Sequence, residues 1–159
     1  MTPLFEPMPL GRLTLPNRIV MPPLTRGRTG AFGVPSRLVA EYYAQRADAG
    51  LLIAEATAVN REGDGWQGAP GLYTDEQVEG WRGVANAVHT AGGRIFVQIW
   101  HMGRTVLTED LDGAQPLAPS DVAASGNHRG KDGVRRPFAV PRAMTRADIE
   151  RTVADFARA

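Results

Sequence analysis

The chain has 159 residues, 43% hydrophobic and 22% charged, a globular mixture that excludes collagen-like, coiled-coil and disordered classes. Eighteen basic and 17 acidic residues leave a net charge of +1, which gives no basis for nucleic acid or an anionic membrane as partner. Cysteine is absent, so disulfide scaffolds, thiolate-bound metals and cysteine nucleophiles are excluded.

Residues 1–7 lack the basic start and long apolar run of a secretory leader. No run of about 18 apolar residues is available to cross a bilayer. The expected setting is therefore cytoplasmic.

Residues 9–15 read as a short hairpin centred on Gly11 and Arg12, and residues 1–18 as a hairpin cap. Ile19, Val20 and Met21 open a first strand. A helix is predicted over 36–49, with Leu38, Val39, Tyr42, Tyr43 and Ala47 at spacings of three and four. Residues 51–56 form a second strand, near-continuously apolar, as strands covered on both faces are. A second helix follows over 75–91, with Val78, Trp81, Val84, Ala85 and Val88 on one face. Thr74 and Gln77 form its capping box, and Gly92-Gly93 ends it. Residues 95–100 form a third strand. Residues 105–144, rich in Gly, Pro, Asp and Ser, exceed any ordinary connection and predict a capping or functional loop. A third helix spans 145–159, with Asp148 in its first turn and Ile149, Val153 and Phe156 as its apolar face.

Strands alternating with helices predict βαβ units and a parallel sheet with right-handed crossovers, here over 19–104. Gly63-Asp64-Gly65-Trp66-Gln67-Gly68 matches the dinucleotide pattern G-x-G-x-x-G. That mechanism needs a helix starting at those glycines, whereas the next helix waits until Thr74, so the pattern is set aside. In a βα barrel the C-terminal strand ends form the active face. The three ends here deliver Thr25, Gln98 and Trp100: a hydroxyl, an amide with donors and an acceptor, and a flat apolar wall. Such a set suits a planar heterocycle carrying carbonyl and ring N–H groups. His101 and Arg104 read as structural, the arginine holding the loop that follows; His89 and His128 show no partner. Asp110 and Asp112 lack the further ligands of a metal site, so none is expected.

A run of segments carries a family resemblance. They are Leu4-Phe5-Glu6-Pro7, Leu13-Thr14-Leu15-Pro16-Asn17-Arg18-Ile19-Val20-Met21, Pro23-Leu24-Thr25-Arg26, Glu41-Tyr42-Tyr43-Ala44-Gln45-Arg46, Glu55-Ala56-Thr57 and Asp75-Glu76-Gln77-Val78-Glu79-Gly80-Trp81. The most specific is Gln98-Ile99-Trp100-His101-Met102-Gly103-Arg104. In order and spacing the chain resembles the N-terminal part of the Old Yellow Enzymes, FMN-dependent NAD(P)H oxidoreductases that act as ene-reductases.

The resemblance implies an α/β fold, the N-terminal part of a TIM barrel: about three βα units preceded by the hairpin. It implies FMN across the strand ends and NAD(P)H as reductant. Pro23, Leu24, Thr25, Ala56 and Gln98 would contact the flavin, and the Thr25 hydroxyl near a ring carbonyl would tune its electronics. Trp66, Trp100 and Arg142 would line the substrate pocket; the family often has tyrosine where Trp66 stands. The implied reaction reduces activated alkenes: enones, enals and nitroalkenes.

A TIM barrel needs roughly 250 residues and eight strands. The family's strand-four signature, a His–Gly–Ala–His or His–Gly–Ala–Asn segment followed by the proton-donating tyrosine, is absent. The expectation is a complementary polypeptide carrying strands four to eight, with the isolated chain inactive. The alternatives are a non-catalytic fragment or assembly module, or another FMN-barrel oxidoreductase.

Overall fold

The structure, a computed structural model, describes residues 3–30, 32–130 and 132–159. Strands β1 (Met8–Leu10) and β2 (Leu13–Leu15) pair antiparallel and reverse at Gly11, whose φ of 56° costs glycine little. Leu15 at the end of this hairpin is fully buried.

Next come β3 (Val20–Met21), α1 (Arg37–Ala44), β4 (Leu51–Ala58), α2 (Asp75–Thr90) and β5 (Ile95–Trp100). The three strands form one parallel sheet in the order β3-β4-β5, as the alternation predicts. Both helices cover one face of it. Leu52 and Ala54 of β4 meet Val39, Tyr43 and Ala47 from the α1 side and Val84 and Val88 from α2, all buried. Burying each such Val or Leu contributes roughly 1.5–3 kcal/mol. Trp81 packs against the same cluster and donates its indole N–H to the Gly71 carbonyl at 3.2 Å.

The capping box of α2 is present as read, with Thr74 and Gln77 each bonding the other's backbone. By contrast, α1 is shorter than predicted. Beyond Ala44 the chain tightens into i→i+3 bonds, Arg46 to Tyr43, Ala47 to Ala44 and Ala49 to Arg46. The Arg46 guanidinium folds back onto the Tyr42 carbonyl and the face of its ring.

The stretch over 105–144 is more ordered than a loop. It holds a 3₁₀ turn at Thr108–Leu111 and two short strands, β6 (Leu117–Ala118) and β9 (Arg142–Ala143), paired parallel. Between them lies a hairpin of β7 (Asn127–Arg129) and β8 (Arg135–Pro137). Strands of two or three residues are too short to show a period in sequence.

Helix α3 (Arg146–Arg158) departs from expectation in its orientation. Its expected apolar face is uncovered: Ile149 is 50% and Val153 63% exposed, with Phe156 half-buried. Its buried residues are Asp148 and Asp155. Asn60 donates to Asp155 at 2.7 Å, Arg151 pairs with Glu62 at 2.9 Å and with Asp148 at 3.0 Å, and Arg142 pairs with Asp148 at 2.8 Å. The helix is thus docked through hydrogen bonds, and its apolar stripe has no cover among the described residues.

Candidate active site

Strand register decides which side chains share a face. On β5, Ile95 and Val97 lie against the helices, whereas Phe96 and Gln98 are exposed on the opposite side. Trp100 follows Gln98 at the same parity. On β4 the pairing runs Ala54↔Val97 and then Ala56↔Gln98, skipping Glu55. This β-bulge changes the parity of the strand. Ala54 sides with Val97 on the helix face, and Ala56 sides with Gln98 on the open face.

The third contributor is the segment after β3. Its course beside β4 is fixed by Glu55, which is 1% exposed and accepts hydrogen bonds from the backbone N–H groups of Arg26 at 2.8 Å and Gly27 at 3.1 Å. Thr25 therefore stands next to the bulge of β4 at Glu55. The structure brings Pro23, Leu24, Thr25, Ala56 and Gln98 to one end of three adjacent strands. Neither the Thr25 hydroxyl nor the Gln98 amide bonds to any described residue, so both are free for a ligand.

The segment over 63–69 forms one side of this rim. Gly27 at φ 60° and Gly68 at φ 70° pass so closely that a Cβ at Gly68 would stand 2.5 Å from the Gly27 carbonyl oxygen. Thr29 locks the same contact, its hydroxyl donating to the Gly68 carbonyl at 2.6 Å. Trp66, 45% exposed, projects from this segment and meets His128 of β7 at 5.6 Å between ring centroids. Phe138 stacks on the same histidine at 5.9 Å between centroids. The hairpin of the long segment thus folds onto Trp66, and His128, which looked partnerless in sequence, is the middle ring of three.

Arg142 stands apart from the rim residues. Its guanidinium grips Asp148 with both terminal nitrogens, at 2.8 and 3.2 Å, and its surroundings are Arg61, Glu62, Leu111 and Leu117. That bidentate bond is its evident engagement here. His101 reads as structural: Nδ1 accepts from the Gly103 N–H at 3.0 Å, and a Cβ on Gly63 would stand 2.8 Å from its ring. Burial pushes its imidazole pKa below the ordinary value. Arg104 donates to the Val122 carbonyl at 2.7 Å and so holds the following loop. Asp112 pairs with Arg61 at 2.6 Å, and no cluster of metal-ligating side chains occurs among the described residues.

Sequence reading missed Glu55 and His128. A lone charge inside an apolar strand was the available signal for the first; the second had none, because its neighbours lie 62 and 10 residues away in the chain.

Parallel strands whose C-terminal ends gather a hydroxyl, an amide and an aromatic wall define an incomplete βα barrel with a rim suited to a planar, carbonyl-rich ring. The profile of the NADH:flavin oxidoreductase / NADH oxidase family matches residues 3–159, and the chain belongs to that family. The flavin oxidoreductase hxnT of Emericella nidulans is 45% identical over 99% of this chain and 41% of its own length. A probable flavin mononucleotide-dependent alkene reductase of Leishmania infantum is 37% identical over 98% of the chain and 44% of its own. Among solved structures, the old yellow enzyme homologue from Zymomonas mobilis superposes with a TM-score of 0.92 at 49% identity, over 98% of this chain and 43% of that one. Morphinone reductase in complex with tetrahydroNAD gives 0.90 at 45% identity, over 98% and 44%. The chain therefore corresponds to the N-terminal part of an Old Yellow Enzyme barrel and spans about two fifths of the length of these relatives. FMN and a nicotinamide reductant are the cofactors of the family.

Proposed function

We propose that this chain forms the flavin-ring side of an FMN-dependent ene-reductase that uses NAD(P)H to reduce activated C=C bonds in enones, enals and nitroalkenes. The observation that carries this reading is the rim itself, where an unbonded hydroxyl at Thr25, an unbonded amide at Gln98 and the backbone at Ala56 converge on one end of three adjacent strands. A flavin ring presents carbonyl oxygens and a ring N–H at its pyrimidine side, and this donor and acceptor set fits it.

Bound FMN would supply hydride acceptance from the nicotinamide and hydride delivery to the alkene β-carbon. The chain's own residues do the rest. The Thr25 hydroxyl donates a hydrogen bond to a ring carbonyl, favouring negative charge there. Gln98 pairs with the pyrimidine edge, and Pro23, Leu24 and Ala56 hold the ring by their backbone. Trp66 and Trp100 wall the substrate pocket and exclude water from it. Arg142, held by Asp148 apart from these residues, is given no part in the pocket.

The proton for the α-carbon would come from strand four, which the described residues do not include. A complementary polypeptide with strands four to eight covers the open edges of β3 and β5 and the Ile149 and Val153 stripe. The setting proposed for the assembled enzyme is the cytoplasm. Separately, no described helix is long and apolar enough to cross a membrane. The test is turnover: in the assembled, FMN-loaded protein, NADPH oxidation should rise when a cyclohexenone-type acceptor is added. Acceptor-independent rates would refute the activity.

A further inference from the structure

Glu55 is buried in the helix-facing side of the sheet, and nothing in the reaction proposed above employs it. Its surroundings are specific. One carboxyl oxygen accepts from two successive backbone N–H groups, Arg26 and Gly27. The other accepts the Tyr43 hydroxyl at 3.3 Å, and that hydroxyl in turn accepts the Glu55 backbone N–H at 2.8 Å. Tyr43 is fully buried in the core between α1 and β4, and burial raises its pKa far above that of a free phenol. The neighbouring Tyr42 takes a hydrogen bond from the Arg26 guanidinium at 2.9 Å, with the same group lying over its ring. Two adjacent tyrosines of α1 therefore hold Glu55 and Arg26.

We propose that Glu55 is the positioning residue of the flavin site, the brace that fixes the distance between Thr25 and Ala56. Sequence adjacency makes the link short. Glu55 precedes Ala56 in β4, and its side chain grips the residue directly after Thr25. The same residue is the extra member of the β-bulge, which turns Ala56 onto the open face beside Gln98. A single position thus re-aims one flavin contact and anchors the other. A strand without the bulge would leave Ala56 on the helix face; a bulge without a carboxyl would leave two backbone donors with no acceptor. The Gly27–Gly68 contact extends the brace to the segment that carries Trp66.

This inference rests on the flavin reading for its consequence but not for its geometry, and the experiment separates the two. Amide hydrogen exchange is measured on the full protein without flavin, for wild type, Glu55→Gln and Glu55→Ala. In Glu55→Ala, exchange at Arg26 and Gly27 should accelerate by about tenfold or more, with α2 amides unchanged. Glu55→Gln keeps one oxygen as acceptor and should recover most of the protection. Unchanged exchange at Arg26 and Gly27 in Glu55→Ala would overturn the brace whether or not flavin binds. The second readout is the flavin midpoint potential in Thr25→Ala, Glu55→Ala and the double variant. If Glu55 acts through Thr25, the double variant shifts no further than Thr25→Ala alone. Additive shifts would contradict the link from Glu55 to Thr25. Absence of flavin from wild type would count against the functional reading and leave the exchange result to decide the brace.

Discussion

Thr25 contributes one hydroxyl, and its effect depends on where charge accumulates when the ring is reduced. A hydrogen bond that strengthens on reduction raises the midpoint potential, so Thr25→Ala should make it more negative and slow reduction by NADPH while FMN stays bound. The loss of about 1 kcal/mol corresponds to roughly 20 mV for a two-electron couple. Spectroelectrochemistry on the two proteins checks this, and equal potentials would remove Thr25 from the tuning role. Thr25 and Gln98 were legible because a barrel places its chemistry at strand ends and both stand there. The bulge at Glu55 was not, because it is a property of pairing between β4 and β5; only the lone charge in an apolar strand marked the residue itself. His128 escaped because Trp66 lies 62 residues away and Phe138 meets it only across the hairpin of β7 and β8.

At the scale of elements, α2 shows local and tertiary signals largely in agreement: cap and glycine stop appear as read, and Val84 and Val88 are buried beside Trp81, while Val78 at the start of the expected stripe is 39% exposed. Helix α3 shows them in competition. Its hydrophobic periodicity predicted a buried Ile149 and Val153, yet the helix is held by Asp148 and Asp155. Hydrogen bonds from Arg142 and from Thr145 hold the Asp148 carboxyl well below its ordinary pKa of 3.8. A carboxyl whose pKa is depressed on folding stabilises the fold above the unfolded value and loses that contribution as pH falls through the folded one. Amide protection in α3 should therefore decline as pH drops below 3.8, and Asp148→Asn should show weaker protection at neutral pH with a flatter acid limb. Exchange followed against pH decides it; identical acid limbs in the two proteins would mean that other carboxylates govern the helix.

At the scale of the molecule, among the described residues the parallel sheet has two edge strands, β3 and β5; one face is covered by α1 and α2, and on the other Phe96 and Gln98 are exposed while Ala56 is buried. Phe96, Val20, Ile149 and Val153 are exposed at 50, 40, 50 and 63%. The class of fold was readable from alternation alone, because βαβ units leave a strong periodic trace. What covers the other face was not, since periodicity shows which residues are apolar and not what meets them. Native mass spectrometry of the purified protein addresses this most directly. The expected species contains this 17.2 kDa chain, a complement carrying strands four to eight, and FMN in equimolar amounts. A 17.2 kDa chain alone, monomeric and without flavin under conditions that preserve complexes, would contradict a shared flavin barrel.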